Sequence, residues 1–320
     1  MQDNVLNFGI DVAKNELVVA VADHPQYSKT VPNQASAIQA WLDGLPGDAR
    51  IAVESTGRYH GLLVELAQAD GFAVYVLNAR DVHYYARALG QRGKTDRSDA
   101  EVISRYLREH HARLHPFAAG TPAEQEIQKL LRSRSRVTVQ RQALLRSLEG
   151  VVGLQTTALT DELDRVLKQI DQRIAALIAS EPELADCARR LGTIPGVGAQ
   201  GAAWLTCLLR RIPFTGSDAV VAYSGLDPRA RDSGQMRGRR RLSKRGPAAL
   251  RRLLFMMAFS ASRSKVFQAE YKAFRARGLS STAAIVVLAR KLLRIAFAVW
   301  KTQTTFDADR YLAAKACAQL

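Results

Sequence analysis

Four carboxylates carry the strongest chemical signal in this sequence: Asp11, Glu54, Asp96 and Asp99. Asp96 and Asp99 lie three residues apart at the start of a predicted helix, which places their Cβ atoms about 5–6 Å apart on one face. Thr95 can cap that helix, and the helix dipole favours acids in a first turn, so capping alone also accounts for this pair. Asp11 and Glu54 each end a short apolar strand, where a charge is costly unless it is paired or binds a metal.

The combination of two acids at strand ends with an acid pair at a helix start favours a metal site. Mg²⁺ takes oxygen ligands, and carboxylates commonly hold it against nucleic-acid phosphates. We therefore predict that the four carboxylates converge on one Mg²⁺ site in the N-terminal part of the chain.

The overall charge indicates the substrate that such a site would serve. The chain has 320 residues, a formal net charge of +16 and a pI near 10.2, which points to nucleic acid ahead of an anionic membrane surface. Between residues 229 and 252 ten cations meet only one acid, a local balance of +9 that suits a phosphate backbone. A solvated basic face accounts for some of these side chains. The predicted nucleic-acid contacts here are Arg229, Arg231, Arg237, Arg239, Arg240, Arg241, Ser243, Lys244 and Arg245.

Two serines lie inside this basic stretch. Ser233 follows Asp232 and precedes Gly234 on a predicted turn, and Ser243 stands just ahead of a predicted helix. A serine among guanidinium groups suits attack on a phosphodiester, because the arginines stabilise the charged oxygens of the phosphate. Ser233 is therefore a candidate nucleophile, with a simple turn serine as the alternative. Ser243 is predicted to cap the helix or to contact a phosphate.

Apolar patterning divides the chain into three parts. Residues 1–118 alternate strands with helices after an initial hairpin, which predicts a mixed α/β sheet flanked by helices. Residues 119–185 show no strand pattern, and Thr121 with Glu124 opens a helix with capping-box spacing. The apolar spacing of three and four in this connector fits a coiled-coil dimer element or an antiparallel helical hairpin, and we place self-association slightly ahead.

Residues 186–320 are predicted to be mostly helical. The run Ile-Pro-Gly-Val-Gly at 194–198 lies between two predicted helices and matches a helix-hairpin-helix signature. In such a turn the glycines, Gly196 and Gly198, let backbone N–H groups approach a phosphate, with the next helix N-terminus assisting. A Pro-Gly turn between core helices fits the pattern about equally well.

The sequence gives no indication of a zinc site, a disulfide framework, secretion or insertion into a membrane. The cysteines are scattered without a C-x-x-C pair, which indicates neither a zinc site nor a disulfide framework. The histidines at 110, 111 and 115 are interpreted as a polar helix end and not as metal ligands. The chain start does not have the pattern of a signal peptide, and charges interrupt the apolar segment 283–300, so we expect a soluble cytoplasmic protein that does not enter a membrane.

Several stretches, taken together and in order, resemble the DEDD transposases of bacterial insertion sequences. They are residues 8–14, 53–57, 94–100, 194–198, 223–228 and 232–234 together with 243–246. That family includes the bridge-RNA-guided serine recombinases and is similar to the pilin-gene inversion recombinase. The resemblance extends over nearly the whole chain. One departure is Asp227 before Pro228, where the family often has an uncharged residue.

The resemblance implies a RuvC-like domain of RNase H type at 1–118, a coiled-coil connector at 119–185 and a transposase domain at 186–320. The family's metal-binding tetrad falls on the four acids named above, and its serine nucleophile falls on Ser233 in preference to Ser243. It further implies that a homo-oligomer, a dimer or tetramer, acts on donor and target DNA. A structured bridge RNA would select both DNAs by base pairing.

The sequence therefore predicts a transposase in which Ser233 forms a phosphoserine intermediate and the tetrad holds Mg²⁺. Two other functions remain open. One is a RuvC-like nuclease that hydrolyses branched DNA with metal-activated water, in which Ser233 is structural. The other is a basic nucleic-acid binder without catalytic activity, whose acids are ordinary surface residues. The additional C-terminal domain with its serine turn favours recombination, and the acids at strand ends disfavour the pure binder.

Overall fold

The computed structural model describes residues 5–55, 59–90, 93, 95–151, 155–229 and 240–317. They form two compact units, Met1–Ala119 and Gly120–Leu320. The first unit is built on one sheet with helices on both faces, and the second is almost entirely helical. A mixed α/β N-terminal part followed by a mostly helical remainder is the class that the sequence predicts.

The described residues of the first unit form five strands and four α-helices. Their order is β1 (Asn7–Val12), β2 (Glu16–Val21), β3 (Lys29–Pro32), α1 (Ala35–Leu42), β4 (Arg50–Glu54), α2 (Gly61–Ala69), β5 (Ala73–Leu77), α3 (Ala79–Ala88) and α4 (Asp96–His110). The strands stand in the order β3-β2-β1-β4-β5. The β1–β2 and β2–β3 pairs are antiparallel, while β1–β4 and β4–β5 are parallel.

Side-chain alternation along the strands separates two faces of this sheet. Phe8 and Ile10 of β1, with Ile51 and Val53 of β4, are buried in a core that also takes apolar residues of α1 and α2. The opposite face carries Ala52 of β4, which packs with Ile103 and Leu107 of α4. Consequently α1 and α2 cover one face, and α4 covers the other.

A glycine allows α4 to lie directly on the central strand. A Cβ atom at Gly9 would overlap the backbone of Ala100 and Ser104. Ser104 is 1% exposed, and its hydroxyl donates to the Asn7 carbonyl at 2.6 Å and accepts from the Ala22 amide at 2.8 Å. These bonds satisfy a buried hydroxyl and connect α4 to β1 and to the end of β2.

The second unit begins with two long helices, α5 (Pro122–Ser147) and α6 (Thr157–Ser180). Thr121 and Glu124 form the predicted capping box at the start of α5. Arg134 pairs with Asp171 at 2.6 Å, and Arg141 pairs with Asp164 at 2.7 Å. The second pair lies seven residues later on α5 and seven residues earlier on α6 than the first. The two helices therefore pack as an antiparallel hairpin within one chain.

The remaining helices form a bundle around one large core. They are α7 (Pro182–Gly192), α8 (Ala199–Arg211), α9 (Ser217–Ser224), α10 (Ala248–Ala261), α11 (Gln268–Ala276), α12 (Ser281–Thr302) and α13 (Ala308–Cys317), with the short strands β6 (Pro228–Arg229) and β7 (Arg241–Leu242) after α9. Helices α7 and α8 also share a smaller core with the α5–α6 hairpin. The apolar side of α12 is buried along its length and packs with residues of α7 to α11. Within the described part of the chain, no helix combines the length and apolar character needed to cross a membrane.

A buried charge network connects the start of the hairpin to this bundle. The Glu124 side chain is 5% exposed, and its carboxylate accepts from the Thr121 amide and from Nε of Arg210, both at 2.9 Å. Arg210, on α8, also pairs with Glu183 on α7 at 3.0 Å. A carboxylate that is buried together with its cation and a backbone donor is satisfied, whereas removal of one partner would leave a buried charge unpaired.

Candidate active site

The register of the sheet places two of the predicted acids side by side. β1 and β4 run parallel with Ile10 opposite Val53, so the next residues, Asp11 and Glu54, are lateral neighbours at the carboxyl ends of their strands. Their side chains project from the face that α4 covers, because they continue the alternation of Gly9 and Ala52. Adjacent strands lie about 4.8 Å apart, which puts both acids within the span of one ion site.

The helix that carries the other two acids begins at the same edge. Ala100 lies over Gly9, and Ser104, one turn later, bonds to Asn7 at the start of β1. Because α4 runs towards the amino end of β1, its first turn with Asp96 and Asp99 lies towards the carboxyl ends of β1 and β4. We call this edge of the sheet, defined by Asp11, Glu54, Asp96 and Asp99, the acid edge.

Local sequence fixes where α4 begins. The Thr95 hydroxyl accepts from the Ser98 amide at 3.1 Å, and the Thr95 amide donates to the Ser98 hydroxyl at 3.0 Å. This capping box confirms the predicted cap and places both aspartates in the first turn, where the helix dipole favours negative charge.

The acid edge differs in exposure from residue to residue. Asp11, Glu54 and Asp99 are half-buried, and Asp96 is exposed. As the side chains stand, no group of three or more histidine, cysteine, aspartate or glutamate residues in the described ranges is placed to hold a metal ion. The backbone therefore brings the acids to one edge without gathering their carboxyl groups into a coordination shell.

A cleft of about 460 Å³ lies beside α4, next to the end of β2. Its wall includes Asp23, whose carboxylate bonds to Arg105 at 3.0 Å and to Arg108 at 2.9 Å. The hydrogen bond from Arg108 is the main cause that holds the pKa of Asp23 below its ordinary value. Asp23 is thus an ionised, paired carboxylate, and it provides a comparison for the acids of the acid edge.

The predicted nucleophile lies outside the described residues. Ser233 falls in the stretch 230–239, as do Arg231, Arg237 and Arg239. The structure does describe the two strands from which this stretch departs and returns: β6 pairs antiparallel with β7, with Arg229 opposite Arg241.

The base of the β6–β7 pair is held by Ser243. The Ser243 hydroxyl donates to the Asp227 carboxylate, and the Ser243 amide donates to the Asp227 carbonyl at 2.9 Å. Ser243 is only 2% exposed, so its hydroxyl faces protein and not a bound phosphate. We call the Asp227–Ser243 pair the latch. Neither predicted role of Ser243 fits this placement: its hydroxyl is used inside the fold and not presented to a phosphate, and α10 begins at Ala248 with Pro247 as its N-cap.

Two glycines bring the chain segments on either side of the latch into close contact. Gly225 has a left-handed backbone, φ 72°, and a Cβ there would overlap the backbone of Arg245. A Cβ at Gly246 would overlap the Tyr223 carbonyl. Residues 223–227 and 243–246 are therefore packed backbone against backbone.

The cations around the latch face solvent. Five residues of the predicted contact set are described and exposed: Arg229, Arg240, Arg241, Lys244 and Arg245. Such a surface attracts a phosphate backbone through charge and is not needed to fill the core.

The turn at 194–198 lies between α7 and α8, as predicted, and has a clear packing role. Gly196 has φ 90°, and a Cβ there would overlap the Met257 carbonyl and Ala261 of α10. Gly198 precedes α8 as its N-cap, and a Cβ there would meet nothing within 4 Å. Gly196 is thus required for close packing, while the Gly198 side of the turn is open.

Comparison with known proteins identifies the kind of enzyme. A family model described as "Transposase" matches residues 8–154, and one described as "Transposase IS116/IS110/IS902 family" matches residues 188–272. Both of these matches are to transposases, and together they span 232 of the 320 residues of this chain. The chain is a DNA transposase or recombinase, and the DEDD type of its N-terminal domain points to dependence on a divalent metal ion.

Similar proteins support this assignment over nearly the full length. The transposase is 29% identical over 315 residues to the pilin gene-inverting protein of Moraxella lacunata, covering 93% of this chain and 97% of that protein. It is 28% identical to the pilin gene-inverting protein of Moraxella bovis, with the same coverage. It is 26% identical over 275 residues to the transposase for insertion sequence element IS1111A of Coxiella burnetii, covering 74% of this chain and 73% of that protein.

The sequence analysis did not identify several residues that position the candidate site and have no proposed chemical role of their own. Ser104 and Gly9 set α4 on β1, and Asp227 holds Ser243. The available signals were a glycine in an apolar strand, a serine on the buried side of a helix, and the charged residue that departs from the family pattern. Each is a weak signal, because its partner lies far away in the chain.

We expect the latch to contribute measurably to stability. Asp227→Ala would leave the buried Ser243 hydroxyl without its acceptor, at a cost of about 1–3 kcal/mol in the free energy of unfolding. Ser243→Ala should lower the free energy of unfolding by less, because it removes the buried hydroxyl itself and so leaves no hydroxyl without a hydrogen-bond partner. Urea denaturation measures the free energy of unfolding of the two single variants and of the double variant. The decrease in the double variant should be smaller than the sum of the decreases in the single variants.

The control for this cycle is Asp218→Ala. The Asp218 side chain is 84% exposed and pairs with Arg294 on the surface, so its loss should change the free energy of unfolding by no more than about 1 kcal/mol. Strict additivity of the Asp227 and Ser243 changes would show that the latch does not couple them.

Proposed function

We propose that this transposase cuts and rejoins DNA strands of a mobile element through a covalent phosphoserine intermediate on Ser233. The observation that supports it is the β6–β7 pair, which is latched at its base and carries exposed arginines. Ser233 lies in sequence between these two strands. A serine held in a cationic setting meets the chemical need of attack on a phosphodiester.

The reaction conserves phosphodiester bonds. Ser233 Oγ forms a bond to phosphorus, the bond from phosphorus to the departing strand end breaks, and the serine proton leaves to that oxygen or to solvent. In rejoining, a strand hydroxyl attacks the phosphoserine and Ser233 regains its proton. One ester replaces another at each step, so no ATP is required.

We further propose that the metal is Mg²⁺, with Asp11, Glu54, Asp96 and Asp99 as its ligands. The donors at the acid edge are all carboxylate oxygens, the ligands that Mg²⁺ prefers, and three of the four are half-buried. Carboxylates repel one another, so side-chain rotation towards a common cation is the change that binding requires. When bound, the ion would polarise the scissile phosphate.

In this proposal the nucleic-acid contacts are the cations of the predicted set, without Ser243: the latch cations Arg229, Arg240, Arg241, Lys244 and Arg245, together with Arg231, Arg237 and Arg239. The open Gly198 side of the 194–198 turn offers backbone N–H groups at the start of α8 for one more phosphate, in the manner of a helix-hairpin-helix turn. Gly196 supports that turn by packing. A structured bridge RNA pairs with donor and target DNA, so that base pairing selects the sequence.

Binding should depend strongly on salt concentration if the cations between residues 229 and 245 contact phosphates. Replacement of Arg239, Arg240 and Arg241 by alanine should make the dependence of log K on log salt shallower by about 0.9 for each phosphate that is no longer neutralised. Filter binding of duplex DNA across a salt series measures this slope.

A charge-matched control is available on and just after α11. Lys272, Arg275 and Arg277 are exposed, and replacing them by alanine removes the same charge from the unit. This triple variant should keep the wild-type slope. Equal slopes for wild type and both triple variants would assign the arginines at 239–241 to a solvated face.

We also propose that the chain divides into three parts, residues 1–118, 119–185 and 186–320. We further propose that it acts as a homo-oligomer. The α5–α6 hairpin has exposed apolar residues on both helices and in the link between them: Val139 is 43%, Leu145 37%, Val151 50% and Leu159 48% exposed. A group of such residues on a helical hairpin suits contact with a second copy.

Serine at positions 145 and 159 should therefore weaken self-association. Light scattering of the Leu145→Ser, Leu159→Ser variant should give a lower mass than wild type at the same concentration. The control is Leu312→Ser, because Leu312 is 44% exposed and lies elsewhere in the same unit. An unchanged mass of the double variant would remove the hairpin from the interface.

The experiment that tests the proposed function is detection of a covalent protein–DNA adduct. Full-length protein, Mg²⁺, candidate RNA from the ends of the element and end-labelled DNA are incubated and separated under denaturing conditions. The proposal predicts a labelled band at the mass of protein plus strand, dependent on metal. Cleaved DNA without any such band would favour the water-dependent nuclease.

A further inference from the structure

One face of α3 carries a stripe of basic and aromatic side chains. Arg80, His83, Tyr84 and Arg87 occupy positions i, i+3, i+4 and i+7, the spacing that places residues on one side of a helix. All four are exposed, and Tyr84 is 51% exposed. We call these four residues the α3 stripe.

The α3 stripe is not needed to hold the helix in place. Val82 is 4% exposed and packs with Tyr75, Leu77 and Ile103, and Tyr85 and Ala86 pack against the same cluster. The Asn78 side chain caps the helix by accepting from the Arg80 amide at 3.0 Å. The buried side thus fixes α3, and the stripe is presented on a rigid element.

Within the stripe, side chains are already arranged against one another. The Arg80 guanidinium lies 5.5 Å from the centre of the Tyr84 ring, and its Nη2 lies 3.4 Å from the Tyr84 hydroxyl. The His83 ring lies 5.8 Å from the Tyr84 ring. An exposed aromatic ring beside guanidinium groups is the arrangement on which unpaired bases stack while cations contact the flanking phosphates.

The stripe begins at the acid edge. Leu77, the last residue of β5, is paired in register with Glu54, and Asn78 follows as the cap of α3. Arg80 is three residues from Leu77, so its Cα lies at most roughly 11 Å from that of Leu77. A strand positioned for cutting at the acid edge therefore passes close to the stripe.

We propose that the α3 stripe binds an unpaired stretch of DNA next to the scissile phosphate. Tyr84 stacks on one base, and Arg80 and Arg87 contact the phosphates on either side. The combination of basic and aromatic residues favours nucleic acid over a protein partner, and the exposed ring favours an unpaired base over a duplex. The proposal rests on the proposed function only in taking the acid edge as the place of cutting.

The test uses full-length protein in EDTA, so that binding is measured without cleavage. Single-stranded DNA containing 5-iododeoxyuridine is bound and irradiated, and crosslinked peptides are identified by mass spectrometry. We expect a crosslink within residues 80–87. Tyr84→Ala should abolish this crosslink and weaken binding of the short strand roughly 5- to 150-fold, the range for removal of one stacking interaction.

Matched variants separate stacking and charge from general effects. Tyr84→Phe keeps the ring and should retain affinity within about twofold of wild type, since stacking uses the ring face. The Arg80→Ala, Arg87→Ala variant should make the salt dependence shallower by about 0.7 for each phosphate that is no longer neutralised. Lys29→Ala removes an exposed cation from β3, at the opposite side of the sheet, and should change nothing.

The outcomes are distinct. Absence of a crosslink in 80–87, together with wild-type affinity of folded Tyr84→Ala protein, would overturn the proposal. A loss confined to single-stranded RNA of the same sequence would overturn the choice of DNA. Because no cleavage is involved, a stripe that binds DNA in a protein that forms no serine adduct would leave this inference standing and remove the phosphoserine mechanism.

Discussion

Ser233→Ala protein is expected to lose strand cleavage and the covalent protein–DNA adduct together. The substitution removes the only atom of that residue that can bond to phosphorus, so the intermediate cannot form. DNA and RNA binding should remain near wild type, because a single hydroxyl contributes little to contacts made by many arginines. Denaturing gels with end-labelled DNA measure cleavage and adduct in one experiment.

The nuclease alternative predicts a different result for the same variant. A nuclease that uses metal-activated water would cut within a few-fold of wild type without Ser233. Ser243→Ala serves as the control, because that hydroxyl is 2% exposed and committed to Asp227. It should lower stability while still forming the adduct. An adduct formed by Ser233→Ala protein, or lost only in Ser243→Ala protein, would place the nucleophile elsewhere.

Asp99→Asn and Asp11→Asn are each expected to reduce cleavage at least roughly 100-fold, since each removes a charged ligand from the proposed Mg²⁺ site. Asparagine has nearly the same shape, and both residues are half-buried at the surface of the sheet edge, so folding and nucleic-acid binding should be nearly unchanged. Binding of Mn²⁺, followed by electron paramagnetic resonance, provides a measurement that does not depend on catalysis. Each variant should bind Mn²⁺ more weakly than wild type.

The control for these variants is Asp23→Asn. Asp23 lies at the end of β2 and pairs with Arg105 and Arg108, so it belongs to no proposed ligand set. Its replacement should leave Mn²⁺ binding and cleavage unaltered. If Asp99→Asn protein cuts DNA and binds Mn²⁺ as well as wild type, Asp99 is not a ligand and the tetrad is wrong at that position.

Local sequence was sufficient to predict most elements and their limits. The cap at Thr95 and the capping box at Thr121 were readable from spacing alone, because a cap involves residues only three apart. The alternating apolar strands and the periodic helices were readable for the same reason. The start of the third strand is less evident from local sequence, because a short 3₁₀ turn at Pro25–Tyr27 precedes β3, which begins at Lys29.

In the connector, the local apolar pattern does not determine how the helices pack. Apolar spacing of three and four describes one face of each helix but does not specify which helix covers it. Within the chain, the answer is the antiparallel α5–α6 hairpin, set by pairs such as Arg134 with Asp171. That pairing depends on residues 37 apart in sequence. The intermolecular coiled coil stays a prediction.

The sequence by itself determined the kind of enzyme, the mixed sheet followed by helices, and the residue types able to hold a metal or attack a phosphate. Only the tertiary structure decided that Asp11 and Glu54 share one face and one edge of the sheet, because strand register is set by long-range pairing. It also decided that Gly9 admits α4 and that the Ser243 hydroxyl is used by Asp227. Each of these depends on a partner distant in the chain, which no local spacing reveals.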